Sequence, residues 1–294
     1  AVVRRPFLLP PQIGKISDWT SRQYTALRLS MASRRVGMII TANPLTLVSL
    51  AKLADQQKES LLRDLRDGTL TLPMQCQDPI DKQLLRRIRR VDKQRCLELE
   101  QIVQQTGHLY PRDFWPELSV VAVWMGGPAG AFVPEVRKLY GDCAFRDHGL
   151  SASEGHMTSP MDDENNAGLL DYQSHYFEFI PVDDHGSSQP EILEADQLQQ
   201  GQDYYILMTT WSGFYRYDIH DVVRCVGFVG KCPQLAFLNT GAHFSSLTGE
   251  KLSEIQVTEA IGQALREVHL DIEHFSLVPV PGDPAYYMLL VEQA

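Results

Sequence analysis

The sequence predicts an α/β chain with a β-rich middle and the beginning of a small α+β region near its end. Three observations carry this. Uninterrupted apolar runs at 36–41 and 118–125 alternate with stretches whose apolar residues recur at helical spacing. Between 171 and 229 the pattern changes to short aromatic and β-branched runs, as strands require. After Gly249 one amphipathic stretch precedes two apolar runs that flank Pro281-Gly282-Asp283-Pro284.

The elements follow in order. Residues 20–32 predict a helix, with Ser17-Asp18 as its cap. A buried strand over 36–41 is followed by a helix over 44–53, where Leu45, Leu47, Val48, Leu50 and Ala51 repeat at helical intervals. Residues 55–106 are charge-rich and helical, with breaks at Pro73 and near Pro79. Within them, Arg86-Arg87-Ile88-Arg89-Arg90 reads as the solvated side of a helix that buries Leu84, Leu85 and Ile88; the alternative is a phosphate-binding patch. The run 118–125 suits a strand covered on both faces, ended by Gly126-Gly127-Pro128, and 129–140 is the following helix. Ligands of open α/β sheets bind beyond the carboxyl ends of strands, so Trp124, Gly126 and Gly127 lie where a substrate can approach. An acidic loop fills 161–170. Strands are predicted at 176–180, 204–210 and 222–229, in an antiparallel or barrel-like arrangement, with the polar run 183–202 joining the first two. A helix over 253–268 and strands over 275–280 and 285–291 complete the chain. The expected division is a large domain over 1–248, then a hinge and the start of a small domain over 249–294.

Composition narrows the function. The 294 residues are 44% hydrophobic and 22% charged, ordinary for a folded protein with a core. A net charge of −10 argues against nucleic acid as a partner, which requires a basic face. Five cysteines, an odd number without a Cys-x-x-Cys pair, argue against a disulfide framework or a zinc knuckle. Reduced thiols fit a cytoplasmic protein, with Cys225 as a packed core thiol. The uncharged apolar stretch 118–134 contains paired glycines and a proline and falls short of a spanning helix, so no membrane partner is expected. No signal-peptide layout opens the chain.

Three motifs carry chemistry: Gly149-Leu150-Ser151-Ala152-Ser153-Glu154-Gly155, Tyr176-Phe177-Glu178-Phe179, and Thr209-Thr210-Trp211-Ser212-Gly213-Phe214-Tyr215-Arg216-Tyr217-Asp218-Ile219-His220-Asp221. Ser151 and Ser153 beside Glu154 suit a magnesium–phosphate site, because hydroxyls donate to phosphate oxygens and a carboxylate takes the metal. They equally suit a serine-rich helix cap. Asp221 can accept from ribose hydroxyls, or pair with Arg216 or Arg224, whose guanidinium groups also match phosphate. His220 reads as a surface histidine more readily than a catalyst. Tyr176 and Phe177 can wall a purine ring or be core aromatics. Lys251, in Gly249-Glu250-Lys251, is a point charge for phosphate or an exposed hinge lysine. A phosphate-binding P-loop, a dinucleotide-binding glycine fingerprint and a Gly-x-Ser-x-Gly nucleophile elbow are all missing.

In this order the motifs resemble the auxin-responsive promoter family of acyl acid amido synthetases, within the luciferase-like adenylate-forming group. The resemblance begins near 14–20, continues through Asp67-Gly68-Thr69-Leu70 and Trp115-Pro116, and includes Gly126-Gly127. Residues 150–154 are similar to the family's Tyr-Ala-Ser-Ser-Glu motif, with Leu150 in place of its aromatic residue. Residues 215–221 are similar to Tyr-Arg-Tyr-Arg-x-Gly-Asp, with Asp218 and His220 in place of an arginine and a glycine. The resemblance implies that Ser153 lies near the adenylate phosphate, that Glu154 binds Mg²⁺, that Tyr176 and Phe177 lie near the adenine, and that Asp221 holds the ribose. It implies that Lys251 contacts nucleotide at the hinge, and that Glu154 and Lys251 serve catalysis. The implied fold is part of a large adenylate-forming domain, its sheets flanked by helices, with the start of the small C-terminal domain.

The implied reaction uses ATP and Mg²⁺ to activate a small-molecule carboxylic acid as its acyl-adenylate, then transfers the acyl group to an amine or amino acid. The family's serine-, threonine- and glycine-rich phosphate loop and the catalytic lysine of its C-terminal domain have no counterpart here. The expectation is therefore an internal piece, truncated at both ends, of a bacterial or animal-type member. Two other readings remain at this stage: a nucleotide-binding relative without catalysis, and a ligase that passes the acyl group to coenzyme A.

Overall fold

The computed structural model describes residues 7–71, 82–241, 244–245, 252–268, 270, 272, 274–280 and 286–292. It divides into two compact units, 1–123 with 132–145, and 124–131 with 146–294.

The first unit is mainly helical. Helix α1 (Trp19–Ser30) starts at the predicted cap, where the Asp18 carboxylate accepts the Ser21 N–H at 2.7 Å. Strand β1 (Met38–Ile40) leads to α2 (Pro44–Gln56), capped by Asn43 through the Leu45 N–H at 2.9 Å. Helix α3 (Lys58–Asp67) ends on Gly68, whose φ of 67° supplies the left-handed turn of a helix C-terminus. Then come α4 (Lys82–Ile88), α5 (Lys93–Thr106), α6 (Pro111–Phe114), β2 (Val120–Ala122), α7 (Val133–Tyr140) and β3 (Ala144–Arg146).

The strands form one sheet in the order β1-β2-β3, with β1 and β2 parallel and Met38 opposite Val120. Leu84 and Ile88 of α4 are buried with Ile13, Ile16 and Leu29, while Arg86 and Arg87 on the solvated face of α4, and Arg89 and Arg90 just beyond its end, are exposed. Arg28 is fully buried. Its guanidinium donates to the carbonyls of Asp64 (2.8 Å), Ile88 (2.9 Å) and Thr69 (3.3 Å), capping the ends of α3 and α4 with positive charge. The predicted breaks at Pro73 and Pro79, and Cys76, lie outside the described residues.

The strand expected over 118–125 contracts to three residues. Beyond Ala122 the Met125 N–H bonds to the Asp147 carboxylate rather than to a neighbouring strand, and the chain turns at Gly126. The following helix is correspondingly late: Gly127–Phe132 is a 3₁₀ turn, and α7 begins at Val133.

The second unit is built on β4 (Ser151–Ala152), β5 (Gly155–His156), β6 (Thr158–Pro160), β7 (Ala167–Leu170), β8 (Tyr176–Pro181), β9 (Asp203–Thr209), β10 (Tyr217–Val229) and β11 (Cys232–Thr240). Six of these make one antiparallel sheet, in the order β6-β7-β11-β10-β9-β8. Strand alternation gives the sheet two apolar sides. Phe177, Phe179, Ile206, Met208, Val223, Cys225, Leu235 and Phe237 pack on one, and Ile180, Tyr205, Leu207 and Val222 on the other. Cys225 is a fully buried free thiol, as expected, and burial pushes it up from the ordinary thiol range. Strand β12 (Phe244–Ser245) pairs with β13 (Leu252–Ser253); α8 (Glu254–Glu267) follows, and β14 (Phe275–Val280) pairs antiparallel with β15 (Tyr286–Val291). Among the described residues no helix is long and apolar enough to cross a membrane.

Candidate functional site

The glycine-flanked motif is a tight hairpin. Ser151 and Ala152 in β4 pair with His156 and Gly155 in β5, leaving Ser153-Glu154 at the two-residue tip. Ser151 and Ser153 are exposed and Glu154 is half-buried, so the helix-cap alternative does not apply. Ser151 Oγ lies 2.8 Å from His156 Nδ1, and His156 Nε2 lies 3.3 Å from Ser159 Oγ.

The base of the hairpin is closely fitted. Gly149 has φ of 78°, and a Cβ there would lie 2.0 Å from the Thr158 carbonyl oxygen. Leu150 N–H donates to Thr158 Oγ1 at 2.8 Å. At Gly155 a Cβ would meet His175 Nε2 at 2.5 Å and Met208 Cε at 2.8 Å.

Sequence reasoning missed Asp147, which organises this region. Its side chain is buried. One oxygen accepts the Met125 N–H at 2.6 Å and the other the Gly149 N–H at 2.7 Å, tying the Gly126-Gly127 turn to the start of the hairpin. Burial raises its carboxyl above the ordinary aspartate range, against the opposing pull of the two amides. The only local signal is an aspartate two residues before a glycine. Its second partner is 22 residues away.

Trp124 packs against Phe237 of β11 at 5.5 Å between ring centroids. Gly126 and Gly127 lie against the same ring, where Cβ atoms would approach Phe237 to 3.4 and 2.8 Å. Further along β11, Thr240 stands opposite Asp221 of β10 and donates its hydroxyl to the Asp221 carboxylate at 3.0 Å. Asp221 titrates above the ordinary range, first because it is buried and then because the charges of Glu154 and Asp218 oppose its ionisation. Glu154 and Asp221 are therefore electrostatic neighbours, although 67 positions separate them in sequence. Among the described residues Glu154 has no ion-pair partner.

The remaining predicted residues lie elsewhere. Arg224 is three positions beyond Asp221 and projects from the opposite side of β10. It binds Asp203 with two bonds of 2.6 and 2.8 Å, so it is in a structural ion pair, and Asp203 rather than Asp221 is its partner. Arg216 likewise pairs with Glu178, at 2.9 and 2.7 Å, joining the second motif to the third. Tyr176 is exposed and donates its hydroxyl to Glu194 at 3.0 Å, whereas Phe177 is buried in the sheet core, edge-on to His175. Lys251 lies outside the described residues.

Residues 1–145 match the GH3 family N-terminal domain, and 168–240 match the GH3 family central domain. The indole-3-acetic acid-amido synthetase GH3.17 of Arabidopsis thaliana is 26% identical over an alignment covering 96% of this chain and 51% of the relative. The jasmonoyl–L-amino acid synthetase JAR4 of Nicotiana attenuata is 26% identical over 61% of this chain and 33% of its own length. A solved GH3.15 acyl acid amido synthetase superposes with a TM-score of 0.79 at 18% identity, covering 97% of this chain and 51% of that one, and shows the same mixed α/β fold. The chain spans about half the length of the curated relatives it matches over its whole extent. These relatives are plant proteins and give no support to a bacterial or animal type.

Proposed function

The chain belongs to the GH3 family, and from that premise we propose that it carries the nucleotide-handling part of an ATP-dependent, amide-forming ligase. In the first half-reaction a carboxylate oxygen of the acid attacks the α-phosphorus of ATP and displaces pyrophosphate, giving the acyl-adenylate. In the second, an amine, such as that of an amino acid, attacks the acyl carbon. AMP leaves and the nitrogen gives up a proton.

The observations that carry this reading are the Ser153-Glu154 hairpin tip with the exposed hydroxyls of Ser151 and Ser153, and the buried Asp221, whose ionisation the charge of Glu154 opposes. The donor chemistry fits magnesium: carboxylates and hydroxyls are hard oxygen ligands, and a cation would favour the ionised form of Asp221, which burial first and the charges of Glu154 and Asp218 less strongly oppose. Glu154 would hold Mg²⁺, which would neutralise charge developing on the phosphate. Ser151 and Ser153 would donate to phosphate oxygens, and Asp221 would accept from the ribose. The acid would lie near Trp124, Gly126 and Gly127, whose backbone is brought to the hairpin by Asp147. Tyr176 would offer its exposed ring near the adenine, with Phe177 supporting the strand beneath.

We assign 1–248 to the large domain and 249–294 to the hinge and the start of the small one, with Lys251 at the junction. A reducing, cytoplasmic setting is supported by the thiols of Cys96, Cys225 and Cys232, which are outside any disulfide.

The test is carboxylate-dependent ATP–pyrophosphate exchange across aryl, indole and fatty acids, on this chain and on a longer reading frame containing it. Magnesium-dependent exchange that Glu154→Ala abolishes is expected. An unchanged rate in that variant removes the metal role, and exchange in neither product removes the proposal.

A further inference from the structure

We propose that His185, Asp218 and His220 form a binding site for a divalent transition metal of the zinc type, distinct from the oxygen-donor pair Glu154 and Asp221. Their ligand atoms lie within 4.8 Å of one another. Asp218 Oδ2 is 2.6 Å from His185 Nε2 and 3.4 Å from His220 Nδ1. Ligands about 2.0–2.1 Å from a tetrahedral zinc stand about 3.3–3.4 Å apart. The His220 pair already has that spacing, and the His185 ring needs to withdraw by less than about 1 Å to reach it. Two imidazoles and one carboxylate are a donor set that zinc accepts, with a fourth position left for water.

The geometry is held in advance. The other oxygen of Asp218 accepts the His220 N–H at 2.7 Å, which fixes the carboxylate plane. His220 has φ of 60°, a left-handed conformation that a non-glycine residue adopts at some cost. Its carbonyl accepts the Gly241 N–H at 2.6 Å, so the bend is locked on its far side. His185 follows the short turn Val182–Asp184, and its ring stacks on Tyr205 at 3.6 Å and 17°. One Asp218 oxygen faces both rings, at 2.6 Å from His185 and 3.4 Å from His220, so all three donors converge on one point. A metal would sit at that point. It would clamp the 182–185 turn to the 218–221 bend of β10, next to Asp221.

The experiment is calorimetric titration of the chelator-stripped chain with Zn²⁺, alongside Co²⁺ followed by visible absorption. One equivalent of each is expected, with cobalt bands of a four-coordinate nitrogen–oxygen site. His185→Ala and His220→Ala should each weaken binding by at least the about 10- to 100-fold that losing a hydrogen-bond partner of a metal ligand costs. Zn²⁺ should raise the thermal midpoint of the native chain and leave that of both variants unmoved. Binding that survives both substitutions belongs to other histidines or cysteines and overturns the proposal, as does failure to bind either metal. None of these readouts requires ATP chemistry, so the metal site and the ligase reading stand or fall separately.

Discussion

Glu178 grips Arg216 with both carboxylate oxygens, at 2.9 and 2.7 Å, and so joins strand β8 to the loop that enters β10. Glu178 is buried and Arg216 is half exposed, with its backbone at φ of 47°. The pair fixes an otherwise exposed loop carrying Trp211, Phe214 and Tyr215. Glu178→Gln keeps the shape and removes the charge that holds the fork. The expected result is a lower thermal midpoint, together with faster proteolytic cleavage between Trp211 and Tyr215. Unchanged cleavage would show that Thr210 and Ser212, 2.7 Å apart, suffice to hold the loop.

Asp147 is the second point of leverage. Asp147→Ala leaves the buried Gly149 amide without its acceptor, at a cost of at least about 1–3 kcal/mol, measurable by urea denaturation. The pH dependence has a definite sign. Burial raises this carboxyl in the folded state, so the folded state binds the proton more tightly than the unfolded one. Its contribution is fully present below the unfolded value, near 3.8, and is lost as pH rises through the folded value. The decline over that window should therefore be shallower in Asp147→Asn than in the native chain. An equal slope would place the titration elsewhere.

Gly149→Ala tests the fit of the hairpin base. Left-handed geometry alone costs alanine about 1–2 kcal/mol. Here the new Cβ would also lie 2.0 Å from the Thr158 carbonyl, and Thr158 is held by two bonds to Leu150. The loss should exceed the first figure. A variant of native stability would mean that β6 shifts freely.

Nucleotide titration separates the two carboxylates from Arg224. Glu154→Ala should weaken magnesium-dependent ATP binding by about 10-fold or more, the equivalent of one charge-assisted contact. Arg224→Ala should leave it unchanged, because Arg224 is bound to Asp203 on the other side of the strand. Equal losses in both variants would return Arg224 to the phosphates.

Local signals reached a good part of this chain. Asp18 and the Arg86–Arg90 face were legible because caps and helical stripes are short-range features. Strand β11 was not foreseen, although Gly230-Lys231 forms its two-residue hairpin turn, with Gly230 at φ of 62°. Pro233 and the short, mixed run behind it masked the strand pattern. The contacts that build the site could not be read at all. Asp147 with Met125 and His185 with Asp218 depend on which segments become neighbours, and no periodicity encodes that. Asp218 and His220 were visible only as departures from a motif.

The order of strands also sets an order in time. Strands β8 to β11 each bond to the next in sequence, so that meander can assemble turn by turn. Strand β7 reaches past all of them to pair with β11, placing Ala167 opposite Ala236 and closing a long loop. The Glu154 hairpin is tethered to β6, which pairs only with β7. The chain should thus complete the Glu154 hairpin after the rest of the sheet is standing. Pulsed hydrogen exchange during refolding should protect the amides of β9 and β10 before those of β7, and early protection of β7 would reverse the sequence. A nascent chain would then gain a stable sheet before the Ser153-Glu154 tip is held in place.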